Sequence, residues 1–330
     1  TRAYSGFIAG LFEGVVRRSL FTSASIPAMS GDAKEFLDTL RLLLIEKVDP
    51  EAIDREGAIG EEVIEAFRAI GAFGIKIPRS YGGLGLSQSE YHTVATLLGS
   101  HDAATSVLLS AHNSIGVAEP VKLVGNREQQ QRLLPRLARG EISRLALTEK
   151  SAGCDIWDLK TYAIPVHEGG VLVGYRVTGE KLYTTNAPRE DHEFLASLLV
   201  VIAQIVTVPQ DVDRPKEERR FGAFVVETQS AGCRCTRLSF MGVRGIYNGQ
   251  VHLRDVFVPV ADRLGEEGEG LRRALESLTV GRLTLPAACL GRGRPRRRYR
   301  ASARRRRRHA ASTSPYCKVG SIACCSSRAR

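Results

Sequence analysis

Apolar positions in the first 140 residues recur at a helical period. Phe36, Leu37, Leu40, Leu43 and Leu44 share one face of a stretch opened by Asp32 and Glu35, whose spacing resembles a capping box, so a helix is predicted to begin at Asp32. Val63, Ile64, Phe67 and Ile70 repeat the pattern from about Glu61, with Gly71 as the stop. Two more helices are predicted at 89–98 and 105–124. Before them, Pro78-Arg79-Ser80-Tyr81-Gly82-Gly83-Leu84-Gly85 is too glycine-dense to be helical and reads as a turn-rich loop. Past Gly140 the period changes. Short apolar or alternating runs at 171–173, 175–177, 198–206, 221–226 and 249–258 predict strands; in the last, Val251 and Leu253 alternate with His252 and Arg254. A helix resumes near Gly270, carrying Leu271, Leu275, Leu278 and Leu285. The order predicts an α+β protein: an extension over 1–29, a helical domain over 30–140, a β domain over 141–260, the start of a second helical domain over 261–291, and a tail over 292–330.

Charge separates the tail from the rest. The 330 residues carry a formal +11, which invites a nucleic-acid partner. Yet thirteen Arg and one Lys, and no acid, lie beyond Gly291; setting those fourteen cations aside leaves −3 for residues 1–291. The body is mildly acidic, and no nucleic acid is expected to bind it. The tail, with five consecutive arginines at 304–308, is expected to form no packed structure. It reads as out-of-frame coding sequence or a mispredicted exon boundary; a genuine basic tail for RNA or acidic membranes is the alternative.

The seven cysteines show no paired metal spacing, and their odd number argues against a disulfide framework, which points to a reducing compartment. Cys233-Arg234-Cys235 fits alternating exposure on a strand better than a metal motif. The longest apolar run, 194–206, is interrupted by Ser197 and Gln204 and is too short to span a bilayer, so it is expected to be a buried strand. His101 and His112 lack a carboxylate at fixed spacing and read as core or cap residues.

Two segments carry candidate chemistry. Leu145-Ala146-Leu147-Thr148-Glu149-Lys150-Ser151-Ala152-Gly153-Cys154-Asp155 ends in small residues whose backbone N–H groups a pyrophosphate can approach, and Tyr183-Thr184-Thr185-Asn186 offers an aromatic ring and hydroxyls. Together they resemble the flavin-binding segments of the acyl-CoA dehydrogenases. Further matches are Ile70-Gly71-Ala72-Phe73-Gly74, Tyr81-Gly82-Gly83-Leu84-Gly85, and Leu264-Gly265 through Gly268-Glu269-Gly270. Phe7-Ile8-Ala9-Gly10-Leu11-Phe12-Glu13-Gly14, His101-Asp102 and Ala111-His112-Asn113-Ser114-Ile115-Gly116 are most similar to the very-long-chain branch. The resemblance covers about residues 5–291.

The resemblance implies an N-terminal helical domain followed by a β-barrel-like domain, with the family's C-terminal helical bundle truncated. It implies FAD as cofactor, a long-chain acyl-CoA thioester oxidised to the trans-2-enoyl form, an electron-transferring flavoprotein as acceptor and, in intact members, a homo-oligomer. By position, Leu145, Leu147, Thr148, Tyr183, Thr184 and Thr185 would face the flavin; Gly153 and Cys154 would lie near its pyrophosphate and the CoA portion; Arg282 would order the substrate region. Tyr183 stands where the family has Trp, Cys154 where it has Ser, and Lys150 where it has Pro. The family's catalytic glutamate has two known positions. One corresponds to Gly281, and the other falls beyond Gly291, where this chain has its arginine-rich tail, so no catalytic residue is assigned and the chain is expected to be inactive. A non-catalytic binding or assembly partner of the same family is the alternative. The compartment would be the mitochondrion in a eukaryote or the cytoplasm in a bacterium.

Overall fold

The computed structural model describes the backbone of residues 28–313 and of positions 10, 14 and 15, with side chains as far as Gly291. The motif at 7–14 therefore lies almost wholly outside the described residues, as does 314–330.

Among the described residues, seven helices form the N-terminal layer: α1 (Gly31–Lys47), α2 (Pro50–Glu56), α3 (Glu61–Ala69), α4 (Gln88–His101), α5 (Ala103–Ile115), α6 (Ala118–Val124) and α7 (Arg127–Ala138). The cap of α1 differs from expectation. Ser30, not Asp32, accepts the Ala33 N–H (3.2 Å), while the Asp32 carboxylate pairs with Arg79. The helix expected over 105–124 is two helices, because Gly116 is extended at the end of α5, and a Cβ there would strike the His112 carbonyl at 2.4 Å. The loop at 78–85 is not helical beyond a single 3-10 turn, Arg79–Tyr81.

The β domain contains β1 (Ser143–Ala146), β2 (Tyr162–Glu168), β3 (Val171–Thr185), the short β4 (Pro188–Glu190) and β5 (Glu193–Phe194), β6 (Leu198–Ile205), β7 (Phe221–Glu227), β8 (Cys233–Arg237), β9 (Asn248–Pro259) and β10 (Arg263–Leu264). Eight strands make one mixed sheet in the order β10-β7-β6-β2-β3-β9-β8, and β1 also pairs with β6. The two runs expected at 171–173 and 175–177 are one strand that continues to Thr185. Strand β6 is buried on both faces. Leu199, Val201 and Ala203 enter the core shared with the helices, through Phe67, Phe73 and Leu98, whereas Leu198, Val200 and Ile202 enter a second core with Leu133, Leu137 and Phe221. That double burial explains why 198–203 is apolar throughout rather than alternating.

One edge of β6 positions the site. Strand β7 takes the other edge in antiparallel register, while β1 and β2 share this one, both parallel to β6: Ser143–Ala146 opposite Leu198–Val201, and Tyr162–Ala163 opposite Gln204–Ile205. Between them β6 has a gap with no strand beside it. The last helix, α8 (Gly270–Thr313), crosses α4 at close quarters: a Cβ on Gly99 would meet the Ala288 carbonyl at 2.1 Å, and one on Gly291 the Thr96 carbonyl at 2.0 Å. Its backbone runs past Gly291, where the sequence reading ends the helix; alanine and arginine both favour helix. No helix among the described residues is long and apolar enough to cross a membrane.

Candidate functional site

Strand β1 and the middle of β3 bring the two candidate segments side by side. The Leu182 N–H donates to the Thr148 carbonyl across 2.7 Å. Thr185 lies three residues farther along β3, about 10 Å at the rise of a strand. The loop after β1 closes on itself, with the Glu149 N–H donating to the Ala152 carbonyl (3.0 Å) and the Ala152 N–H to the Glu149 carbonyl (3.3 Å). Lys150 in place of proline therefore does not open this turn.

A buried ion pair, which the sequence reading missed, locks the turn to β3. Lys181 Nζ reaches into the gap beside β6, donating to the carbonyls of Ile202 (2.7 Å) and Leu147 (3.2 Å) and to Glu149 Oε1 (2.6 Å). Glu149 also accepts the backbone N–H groups of Lys160 (2.5 Å) and Thr161 (3.1 Å). Burial pushes the Lys181 ammonium below its ordinary range, opposed by the Glu149 charge. A lysine at an inward position of an amphipathic strand, paired in sequence terms with the Glu of the preceding loop, was the available signal.

Past Lys181 the strand bends. Tyr183 (φ 55°) and Asn186 (φ 62°) both adopt the left-handed region, which costs non-glycine residues on the order of 1–3 kcal/mol each. The bend exposes Tyr183, whose ring sits 6.1 Å from that of Phe240, and turns Thr184 and Thr185 inward. Asn186 secures the bend by donating from Nδ2 to the Leu108 carbonyl (2.9 Å) on α5. Thr185 Oγ1 accepts from Asn248 Nδ2 (2.9 Å). The buried Thr184 Oγ1 and Asn248 Oδ1 have no partner among the described residues.

Thr185 opens onto a cavity of about 270 Å³ between α5, β1, β3 and α8, shared with Ser114, Arg144, Gly281 and Arg282. The predicted residues Thr185 and Arg282 therefore meet. Leu145 and Leu147 do not join them: their side chains point to the second core, and Arg144, one residue earlier, is the residue of β1 that lines the cavity. Gly153 and Cys154 are exposed and do not line the cavity, and a Cβ at Gly153 would meet nothing within 4 Å. The backbone N–H groups of Ser151, Gly153 and Cys154 make no hydrogen bond among the described residues. Open N–H groups suit an anionic moiety, while the orphaned Asn248 Oδ1 accepts and calls for a ligand that also carries a donor.

The histidines are structural. His112 is fully buried, donating from Nε2 to the Phe73 carbonyl (3.0 Å) and accepting the Ser143 N–H at Nδ1 (3.1 Å); burial lowers its pKa to about 4, so the ring is neutral. His101 Nε2 meets the Val48 carbonyl at 2.9 Å. Cys233 and Cys235 alternate on β8 with the exposed Arg234 between them, and no cluster of metal-ligating side chains exists among the described residues.

Residues 30–141 match the family model described as the acyl-CoA dehydrogenase N-terminal domain. Over 289 residues the chain is 39% identical to the probable acyl-CoA dehydrogenase FadE10 of Mycobacterium tuberculosis, a match covering 86% of this chain and 40% of that protein. Residues 30–141 carry an acyl-CoA dehydrogenase N-terminal domain, and the chain is homologous to acyl-CoA dehydrogenases over most of its length. It is also 30% identical over 290 residues to the mitochondrial very long-chain specific acyl-CoA dehydrogenase of Rattus norvegicus, covering 86% of this chain and 42% of the relative. Among solved structures it resembles an acyl-CoA dehydrogenase complexed with FAD from Bacillus anthracis, with a TM-score of 0.68 and 28% identity, covering 80% of this chain and 43% of that one. The chain thus spans about two fifths of the length of the curated acyl-CoA dehydrogenases it matches.

Proposed function

We propose that this chain is the FAD- and acyl-CoA-binding portion of an acyl-CoA dehydrogenase, and that the 330 residues alone do not dehydrogenate the substrate. The observation that carries the reading is the convergence of Thr185, Gly281 and Arg282 on one cavity, beside a strand pair closed by the Leu182–Thr148 hydrogen bond. Thr148, Thr184, Thr185 and Tyr183 would hold the flavin ring, and the open N–H groups of Ser151, Gly153 and Cys154 its pyrophosphate. When bound, FAD supplies the acceptor for the hydride that leaves the acyl chain.

The chain's own residues orient the thioester and exclude water. The apolar wall of α5 and α8 would take the acyl chain, Arg282 would order the substrate region, and Cys154 would lie along the CoA portion. Removal of the α-proton needs a positioned carboxylate. Gly281 has no side chain, Glu149 is committed to Lys181, and Glu276 pairs with Arg272 and Arg273 on the outer face of α8. A preference for long acyl chains rests on the likeness to the very-long-chain relatives, and an electron-transferring flavoprotein as acceptor and a homo-oligomeric state follow the same resemblance.

The test is titration of the purified chain with FAD, followed by anaerobic addition of acyl-CoAs of graded length. Flavin binding with no bleaching is expected. An unshifted flavin spectrum would overturn the binding assignment, and rapid bleaching would overturn the inactivity.

A further inference from the structure

The half-buried Arg144 side chain makes no hydrogen bond and no ion pair with any described residue, and its Nε is sealed from solvent without a partner. Burial alone shifts its titration, lowering its pKa to about 10, with no neighbouring carboxylate to raise it. The side chain lines the cavity that Arg282 also reaches. Arg282 is likewise unpaired among the described residues, and no Asp or Glu contributes to the wall. Apart from Ser110, Ser114 and Thr185, the rest of the lining is apolar or small, including Val107, Ile115, Leu278 and Leu285.

A desolvated cation without a counter-charge is unfavourable, and it persists where a ligand supplies the missing charge. The planar fork of a guanidinium matches a carboxylate in bidentate geometry. An inorganic phosphate would satisfy the arginines and leave the apolar walls unused; a carboxylate on a methylene chain satisfies both. We propose that this cavity selects an acyl-CoA whose acyl chain ends in a carboxylate, with Arg144 as the specificity-determining residue and Arg282 as its neighbour at the mouth. The proposal rests on the acyl-CoA reading above and narrows its substrate class.

The experiment is calorimetric titration of the full chain in excess FAD with glutaryl-CoA against pentanoyl-CoA, and sebacyl-CoA against decanoyl-CoA, alongside free glutarate. The anionic member of each pair is expected to bind about tenfold more tightly, the worth of one charge-assisted hydrogen-bonded contact. Arg144→Met should abolish that preference, and Arg144→Lys should keep part of it. Since Arg144 holds no other residue in place, both variants are expected to melt with the parent. Equal affinities within each pair, or a preference that survives in Arg144→Met, would overturn the proposal. Free glutarate binding as tightly as glutaryl-CoA would overturn the attachment of the carboxylate to a thioester. If no thioester of either kind binds, the acyl-CoA reading fails, and the carboxylate site is decided separately by whether glutarate binds the parent and not Arg144→Met.

Discussion

Lys181 Nζ lies 2.6 Å from Glu149 Oε1, with the two side chains 0% and 4% exposed, at the point where β1 has ended and β2 has not begun. The ammonium takes the place of a missing strand, bonding the Ile202 carbonyl that β6 would otherwise leave unpaired. Lys181→Met leaves a buried carboxylate without its partner, and about 3–5 kcal/mol of stability is expected to be lost. The double variant Lys181→Met, Glu149→Gln should recover most of it, since both charges are then gone. Urea unfolding of the three proteins checks this; a single-variant loss below about 1 kcal/mol would show that the pair is not strongly coupled to folding.

His112 gives the fold an acid limit. Its pKa is lowered to about 4 by burial, whereas an unfolded histidine titrates near 6.5. The unfolded chain therefore binds the proton first. The stability carried by the neutral ring is complete above about pH 6.5 and declines as pH falls towards 4, by about 2 kcal/mol between pH 7 and pH 5. Melting temperatures across that range should fall in the parent and fall less in His112→Gln.

Gly281 faces Ile115: a Cβ there would meet Ile115 Cγ2 at 2.5 Å. Gly281→Glu alone is therefore expected to disturb α5 against α8 rather than create a base. Gly281→Glu combined with Ile115→Ala clears the space, and acyl-CoA-dependent flavin bleaching should emerge only in the double variant. Bleaching by the parent, or none by a folded double variant that binds FAD, would count against this account of the missing base.

Cys154 is exposed beside the open N–H groups of its loop. A thiol is a weak donor, so Cys154→Ser should tighten FAD or CoA binding by about 0.5–1.5 kcal/mol, the worth of one hydrogen bond. Flavin fluorescence titration reads this directly, and unchanged affinity would place the ligand elsewhere.

Elements with one strong period were legible in the sequence; elements defined by distant partners were not. Helix α3 and strand β6 announce themselves, the first by Val63, Ile64 and Phe67 on one face and the second by double burial. Strand β1 has only four residues, and its identity as a strand comes from β6, fifty-five positions later. The cap at Ser30 was missed because Asp32 offers an equally good local pattern, and only the contact with Arg79 takes it away. In the site, the small-residue loop and the Tyr183–Asn186 segment were singled out by residue types and the family resemblance, but the bend at Tyr183 and Asn186 was not. Lys181 and Arg144 were not, because charged residues in strands ordinarily face water, and the inward register of Lys181 on β3 is the one sign the sequence offers.

The parallel pairing of β1 with β6 also sets a schedule for biosynthesis. Ser143–Ala146 leaves the ribosome before Leu198–Val201, and at 5–20 residues per second the delay is on the order of several seconds. Throughout that interval Leu145 and Ala146 have no neighbouring strand, and the wall that carries Arg144 does not exist. The nascent chain is in that window an apolar segment next to a folded helical layer, which makes it a natural client for a chaperone and the stage at which the protein is most prone to aggregate.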